Sequence, residues 1–192
     1  GHGVSSWSAQ PNCGHEYGFK NSPVMPGSPS GNWGGAWSRG GGLIRIHARA
    51  MTVLGTLTAN ARLDSTAGGA SGGGIWLTAD SYAFGTTAKL LARGGASGVD
   101  SNHYGSVGAG GRIAIGYRLT DEQIASLAET GTWEGLRPKS RRLKTLEQFR
   151  SRIGNADMVV DVTAVLRYDD QKSPMGTFCF VDEPDGFMLL VK

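Results

Sequence analysis

The sequence predicts an all-β chain, a right-handed parallel β-helix (β-solenoid) with a short helical insertion after residue 117. Three observations predict it. Glycine occurs 31 times in 192 residues, more than double the usual share of about 7%. Short alternating apolar runs follow the glycines, which a flexible Gly/Ser linker would not contain. The same run then returns at offsets of 31 and 38 residues, a period that marks stacked repeats.

Residues 1–42 are rich in Gly, Ser, Pro, Asn and Trp and hold no regular period. They read as an ordered loop or cap pinned by Trp7, Tyr17, Phe19, Trp33 and Trp37. Residues 43–117 carry the repeats. Glycines precede Leu43-Ile44-Arg45-Ile46-His47-Ala48, then Ile75-Trp76-Leu77-Thr78-Ala79, then Arg112-Ile113-Ala114-Ile115. Aligning Ile44 with Ile75 and Ile113 brings Ile46, Leu77 and Ile115 into line two residues on, on the same strand face. Gly55-Thr56-Leu57-Thr58-Ala59 repeats against Lys89-Leu90-Leu91-Ala92, and the turn Gly68-Gly69-Ala70-Ser71-Gly72 returns as Gly94-Gly95-Ala96-Ser97-Gly98. The alignment makes Arg45 and Trp76 outward neighbours, close enough for a cation–π contact of about 0.5–1 kcal/mol. An α-solenoid is excluded because residues 40–117 hold no 3.6-residue period. An antiparallel sandwich is the second reading, but its hairpins would place turns between every strand pair.

Residues 118–154 read as a helical, basic insertion on the outside of the repeats. Thr120 and Gln123 form a capping-box signature, Ile124, Leu127 and Ala128 an apolar stripe, and Gly131 a stop. A helix over about 121–129 follows, with a second after Pro138 on Leu143, Leu146, Phe149 and Ile153. Residues 155–192 return to strands at 158–162, 177–181 and 187–191.

The glycine-led strings resemble Gly-rich parallel β-helix repeats of large bacterial secreted and cell-surface, adhesin-like proteins. The resemblance covers residues 40–131 best and implies an architecture more than an activity. In such proteins the segment after the helix is polar and strand-rich, whereas here a basic helical stretch stands in its place.

The chemistry-bearing residues are few. Net charge is +3 with a pI near 9.0, too mild to point to nucleic acid. No run approaches the roughly 20 apolar residues of a membrane span. The abrupt Gly1-His2-Gly3 start reads as a processed or excised segment, and the expected location is secreted or cell-surface. Arg137, Lys139, Arg141, Arg142, Lys144, Arg150 and Arg152 face a single acid, Glu147, over residues 137–152. Such a run suits a polyanion or a partner's acidic surface, as well as plain solvation. Cys13 and Cys179 suit one disulfide, within or between chains, or two free buried thiols.

His2, Cys13, His15 and Glu16 match no zinc spacing, so no metal is expected. His103-Tyr104 reads as a loop tip, and Gly108-Ala109-Gly110-Gly111 lacks the Lys of a phosphate loop. The outward strand positions offer Arg45, His47, Trp76, Thr78, Asp80 and Arg112, without the recurring carboxylates a glycosidase needs. No catalytic residue and no cofactor are therefore expected, and a polysaccharide lyase or hydrolase is the least favoured reading. The sequence instead suggests a non-catalytic structural subunit of an extracellular assembly. It would self-associate through its solenoid ends into a fibre, its uncapped terminal strand covered by another chain or by continuation of this one. The alternative is an adhesive module for carbohydrate or polyanion, with acidic polysaccharide as partner.

Overall fold

The computed structural model describes residues 17–30, 38–62, 69–95, 108–131, 143–163 and 175–182. Their strands are β1 (Leu43–Val53), β2 (Thr56–Thr58), β3 (Gly74–Phe84), β4 (Lys89–Leu91), β5 (Arg112–Tyr117), β6 (Leu143–Lys144), β7 (Val159–Asp161) and β8 (Thr177–Asp182). Helices α1 (Asp121–Thr130) and α2 (Leu146–Ile153) lie between β5 and β7. Two sheets form, one ordered β1-β3-β5-β8-β6 and one ordered β2-β4-β7. The chain alternates between them from β1 to β5 and again at β7 and β8. All pairings are parallel except β6 with β8.

The apolar alternation sets the register. Ile44 pairs with Ile75, Ile75 with Ile113, and Ile113 with Phe178; Ile46, Leu77, Ile115 and Phe180 form the next row. Leu57, Leu90 and Val160 form the matching row in the smaller sheet. Apart from Ile46, which is exposed at the sheet edge, these rows share one core. Burial of each Ile, Leu or Phe contributes about 1.5–3 kcal/mol. The long strands change parity midway. On β3, Ile75, Leu77 and Ala79 face the core, then Tyr82 and Phe84 do; on β1 the switch falls between Ala48 and Met51. Both strands bend together and keep their apolar residues inside.

Glycine is required where neighbouring backbones approach. The N–H groups of Gly74, Arg112 and Thr177 donate to the carbonyls of Gly42, Gly73 and Gly111 at 3.0, 2.9 and 3.0 Å. A Cβ on Gly73, Gly111 or Gly176 would collide with that same preceding carbonyl. Only a residue without a side chain fits these three places.

Both helices begin as capping boxes: Thr120 with Gln123, and Thr145 with Gln148. Both end on a left-handed glycine, Gly131 at φ 65° and Gly154 at φ 67°. The first helix was expected within a residue of its observed bounds. The second begins at Leu146, with Thr145 as its N-cap, well beyond Pro138. Phe149 of α2 is fully buried within the core shared by the sheets, with ring centroids 5.6 Å from Phe84, 5.7 Å from Phe178 and 5.0 Å from Phe180. Helix α2 thus puts one buried ring into the core, while Glu147, Gln148, Ser151 and Arg152 stay exposed. Helix α1 covers the outer face of the larger sheet, where Ile124 and Leu127 pack with Trp76, Ala114, Cys179 and Val181. Residues 17–30 complete that cover: Ser22 Oγ donates to the Leu127 carbonyl at 2.5 Å, and Arg112 Nη1 donates to the Tyr17 carbonyl at 2.5 Å.

The expected right-handed parallel β-helix is corrected by this arrangement. Two separate parallel sheets with intervening helices form an α/β domain, not a continuous curling repeat. The likeness to β-helix repeats of bacterial surface proteins fails for the same reason. One helix roofs the larger sheet and the other packs Phe149 into the core, so the repeat does not continue unbroken past β5. The structural subunit stacking end to end is corrected as well, together with self-association through solenoid ends. A fibre needs two complementary ends, whereas β6 runs antiparallel along β8 at Phe180 and Val181 and Phe149 of α2 packs on Phe180 beside it. The last expected strand, 187–191, lies outside the described residues.

Candidate functional site

The larger sheet has one long edge among the described residues, β1. Its neighbour on one side is β3, and no described strand lies on the other. Along an extended strand the backbone groups of successive residues point to alternate sides. The Gly42 carbonyl accepts from Gly74 N–H, so Ile44 and Ile46 also direct their backbone groups toward β3. Those of Leu43, Arg45 and His47 point away from it, and no described residue pairs with them. Such an edge is a template for a further strand.

The side chains of β1 differ in burial from their partners inside the sheet. Ile46 is 37% exposed, while Leu77 and Ile115 in the same row are buried. Ile44 is half-buried, and Leu43 is 39% exposed on the outward side. The outward face continues with Arg45, His47 and Arg49, all exposed. Arg45 stacks over Trp76 with its guanidinium carbon 4.5 Å from the ring centroid, as the register implied. His47 Nδ1 lies 2.8 Å from Thr78 Oγ1, and its Nε2 lies 3.2 Å from Asp121 Oδ1. The register sets Asp80 beside Arg49. The acids Asp80 and Asp121 both stand on the β3 and α1 side of the strand.

Glycine 42 completes the picture. It stands in register with Gly73, Gly111 and Gly176, yet a Cβ built on it would meet no described atom within 4 Å. Its φ lies outside the left-handed region as well. Nothing in the described fold requires glycine there.

Thr78, His47 and Asp121 have the order of a nucleophile, a base and an orienting acid, but not its access. Thr78 is only 3% exposed beneath α1, and its hydroxyl is engaged by His47 and the Ile46 carbonyl. The contact ties α1 to the sheet. Trp76 and Arg112, read as outward and available, are buried by α1 and residues 17–30.

A second polar cluster fastens the smaller sheet. Arg93 Nε donates to Asp161 Oδ2 at 2.7 Å, Thr163 donates to Asp161 Oδ1, and Asn60 Oδ1 accepts from Arg93 N–H. Burial alone would raise the Asp161 carboxyl. The Thr163 donors and the Arg93 guanidinium outweigh it and hold the group below the usual carboxylate range. Burial pushes the Tyr82 hydroxyl upward while it donates to the Gly116 carbonyl at 2.8 Å.

Of the expected basic site, Arg137, Lys139, Arg141 and Arg142 lie outside the described residues. Lys144 is on β6. Arg150 donates to the Met158 carbonyl at 3.1 and 2.9 Å, and Arg152 stacks on Tyr117 with its guanidinium carbon 4.6 Å from the ring centroid. Both helix cations therefore make contacts within the fold. Cys179 is buried on β8 with Sγ 3.4 Å from Asn21 Oδ1, and burial pushes its thiol up to about 12. Cys13, its expected partner, lies outside the described residues, as do His2, His15, Glu16, His103 and Tyr104. No group of three metal-ligand side chains occurs among the described residues, and no described helix is long and apolar enough to cross a membrane.

Sequence reasoning named Arg45, His47, Trp76 and Thr78 as a face but missed the open edge behind them. Its signal was present: β1 is the first of the repeated strands among the described residues. No protein-family model, curated protein or solved structure matches the chain.

Proposed function

We propose that this chain is a non-catalytic protein-interaction module that takes up an extended peptide by strand addition to β1. The observation that carries the reading is the edge itself: β1 spans 11 residues and its outer backbone groups meet no described partner. Main-chain hydrogen bonds supply affinity in this mode, and the alternating side chains supply selectivity. A setting outside the cell or at its surface belongs to the same proposal, supported by the Gly-rich, charge-poor composition.

The test is selection from a random displayed-peptide library, run in parallel on the wild type and on Arg45→Pro. Proline at residue 45 removes an N–H that β3 does not use and blocks an incoming strand while sparing the β1–β3 ladder. Circular dichroism confirms that the variant is folded. The wild type should enrich peptides with period-2 apolar alternation, and Arg45→Pro should not. Enrichment without alternation, or equal enrichment on both proteins, would overturn the reading.

A further inference from the structure

We infer that the incoming strand runs parallel to β1, seats a backbone carbonyl over Gly42, and presents acidic residues to Arg45 and Arg49. This rests on the strand-addition reading and adds direction, register and chemistry to it.

Direction and register come from a geometry that occurs three times in the larger sheet. At β3, β5 and β8 the first strand residue donates its N–H to a glycine carbonyl of the neighbouring backbone: Gly74 to Gly42, Arg112 to Gly73, Thr177 to Gly111. The residue just before each donor is Gly73, Gly111 or Gly176, and its missing side chain makes room for that carbonyl. Leu43 and Gly42 are the fourth such pair. The Leu43 N–H points to the open side, and no described atom lies within 4 Å of where a Gly42 Cβ would stand. A parallel strand places its carbonyl there as the other three do.

Chemistry comes from the two faces of β1. Ile44 and Ala48 pack against the core and remain half-buried, and Ile46 between them is exposed, with no described strand flanking them. The added strand must carry apolar residues on that face. On the outward face Arg45, His47 and Arg49 are flanked by Trp76, Thr78 and Asp80 on β3, with Asp121 reaching His47 from α1. Both acids sit on the β3 side, so carboxylates on the added strand would meet the cations from the open side. Opposite charges directly across a strand pair are favourable and like charges are not. A second copy is disfavoured as the occupant. Pairing two β1 edges would bring Arg45 and Arg49 of each copy together, and the far edge of the sheet already carries β6.

The probe is a synthetic peptide of four Val-Glu repeats with a nitroxide on its N-terminus, titrated into isotope-labelled protein and followed by amide resonances. A Val-Lys peptide is the charge control. The Val-Glu peptide should bind, shift the β1 amides and broaden those near Leu43 more than those near Val53. The Val-Lys peptide should bind about tenfold more weakly or worse. Gly42→Val should leave the free protein folded and weaken Val-Glu binding at least about tenfold, because its side chain occupies the carbonyl's place. Broadening at the Val53 end, unchanged affinity in Gly42→Val, or equal affinity for both peptides would each overturn the inference while leaving strand addition standing. Failure of the Val-Glu peptide to bind a protein that enriches other alternating peptides would overturn the acidic assignment. A concentration-dependent dimer abolished by Gly42→Val would give the edge to a second copy and overturn the proposal.

Discussion

Gly73→Ala and Gly42→Ala are the same chemical change in the same register column, and the structure gives them opposite outcomes. A Cβ on Gly73 would stand 1.9 Å from the Gly42 carbonyl oxygen. Relief requires β1 and β3 to part by about 1 Å at this point, because side-chain carbons do not approach an oxygen closer than 3.0 Å. Gly74 N–H already donates to that carbonyl at 3.0 Å, so the separation breaks this bond and strains the next rung. Two weakened backbone bonds at about 0.5–1.5 kcal/mol each, with loosened packing between Ile44 and Ile75, give a loss of about 2–3 kcal/mol. That falls in the usual range for overpacking and is a large part of a typical total of about 5–15 kcal/mol. Gly42→Ala meets open space and should change stability by less than about 1 kcal/mol, toward stabilisation through the unfolded chain. Urea unfolding followed by tryptophan fluorescence measures both. With a slope of about 2 kcal/mol per molar, Gly73→Ala should lower the midpoint by about 1 M with the slope unchanged. Equal midpoints for the two variants would refute the stacked-glycine reasoning.

Other consequences are open to simpler measurements. Phe149→Ala should lose about 3–5 kcal/mol in the same unfolding assay, since a fully buried ring between the sheets is removed; a loss under 1 kcal/mol would mean that α2 does not close the core. Asp161 has a folded pKa below its ordinary 3.8, so its contribution is present above that value and is lost as pH falls through the lower folded one. Asp161→Asn should therefore flatten the acid limb of stability against pH, and an unchanged limb would dismiss the Arg93 and Thr163 contacts as stabilising. In a Cys13→Ser background, Cys179 should stay unreactive toward a thiol reagent at neutral pH until denaturant is added, because only the thiolate attacks and burial disfavours it. Rapid native-state labelling would contradict its burial.

Much of the strand pairing was legible because side-chain period and register are linked. A slip of one residue would turn Ile44, Ile75 and Ile113 from core to solvent, so an alignment that keeps them together also gives the pairing. Helix α1 was legible for a local reason: Thr120, Gln123 and Gly131 satisfy its orphan backbone groups within a few residues. The same box at Thr145 and Gln148 sets the start of α2, whereas Pro138 alone points too early. What local signals do not carry is which side of a sheet a helix takes. The apolar residues of α2 look alike whether they cover a sheet from outside or enter between two sheets, and only the long-range contacts of Phe149 with Phe84, Phe178 and Phe180 decide it. The β-helix reading failed at this step, because it followed the repeat past the point where helices take over its faces.

The candidate site was legible in its residues and hidden in its function. Arg45 and His47 stand out as charged groups on an apolar strand, and charge invites a search for ligands. Their actual partners, Trp76, Thr78 and Asp121, are groups of the fold. The feature left over is the backbone of the strand that carries them, which no side-chain motif reports. Glycine 42 gives it away by contrast. Three glycines in its column are forced by a carbonyl from the neighbouring backbone, and the fourth stands at the same register position with no described carbonyl beside it. A glycine that the described fold does not need, at the start of an edge whose N–H groups face outward, is the pattern expected where another backbone is meant to lie.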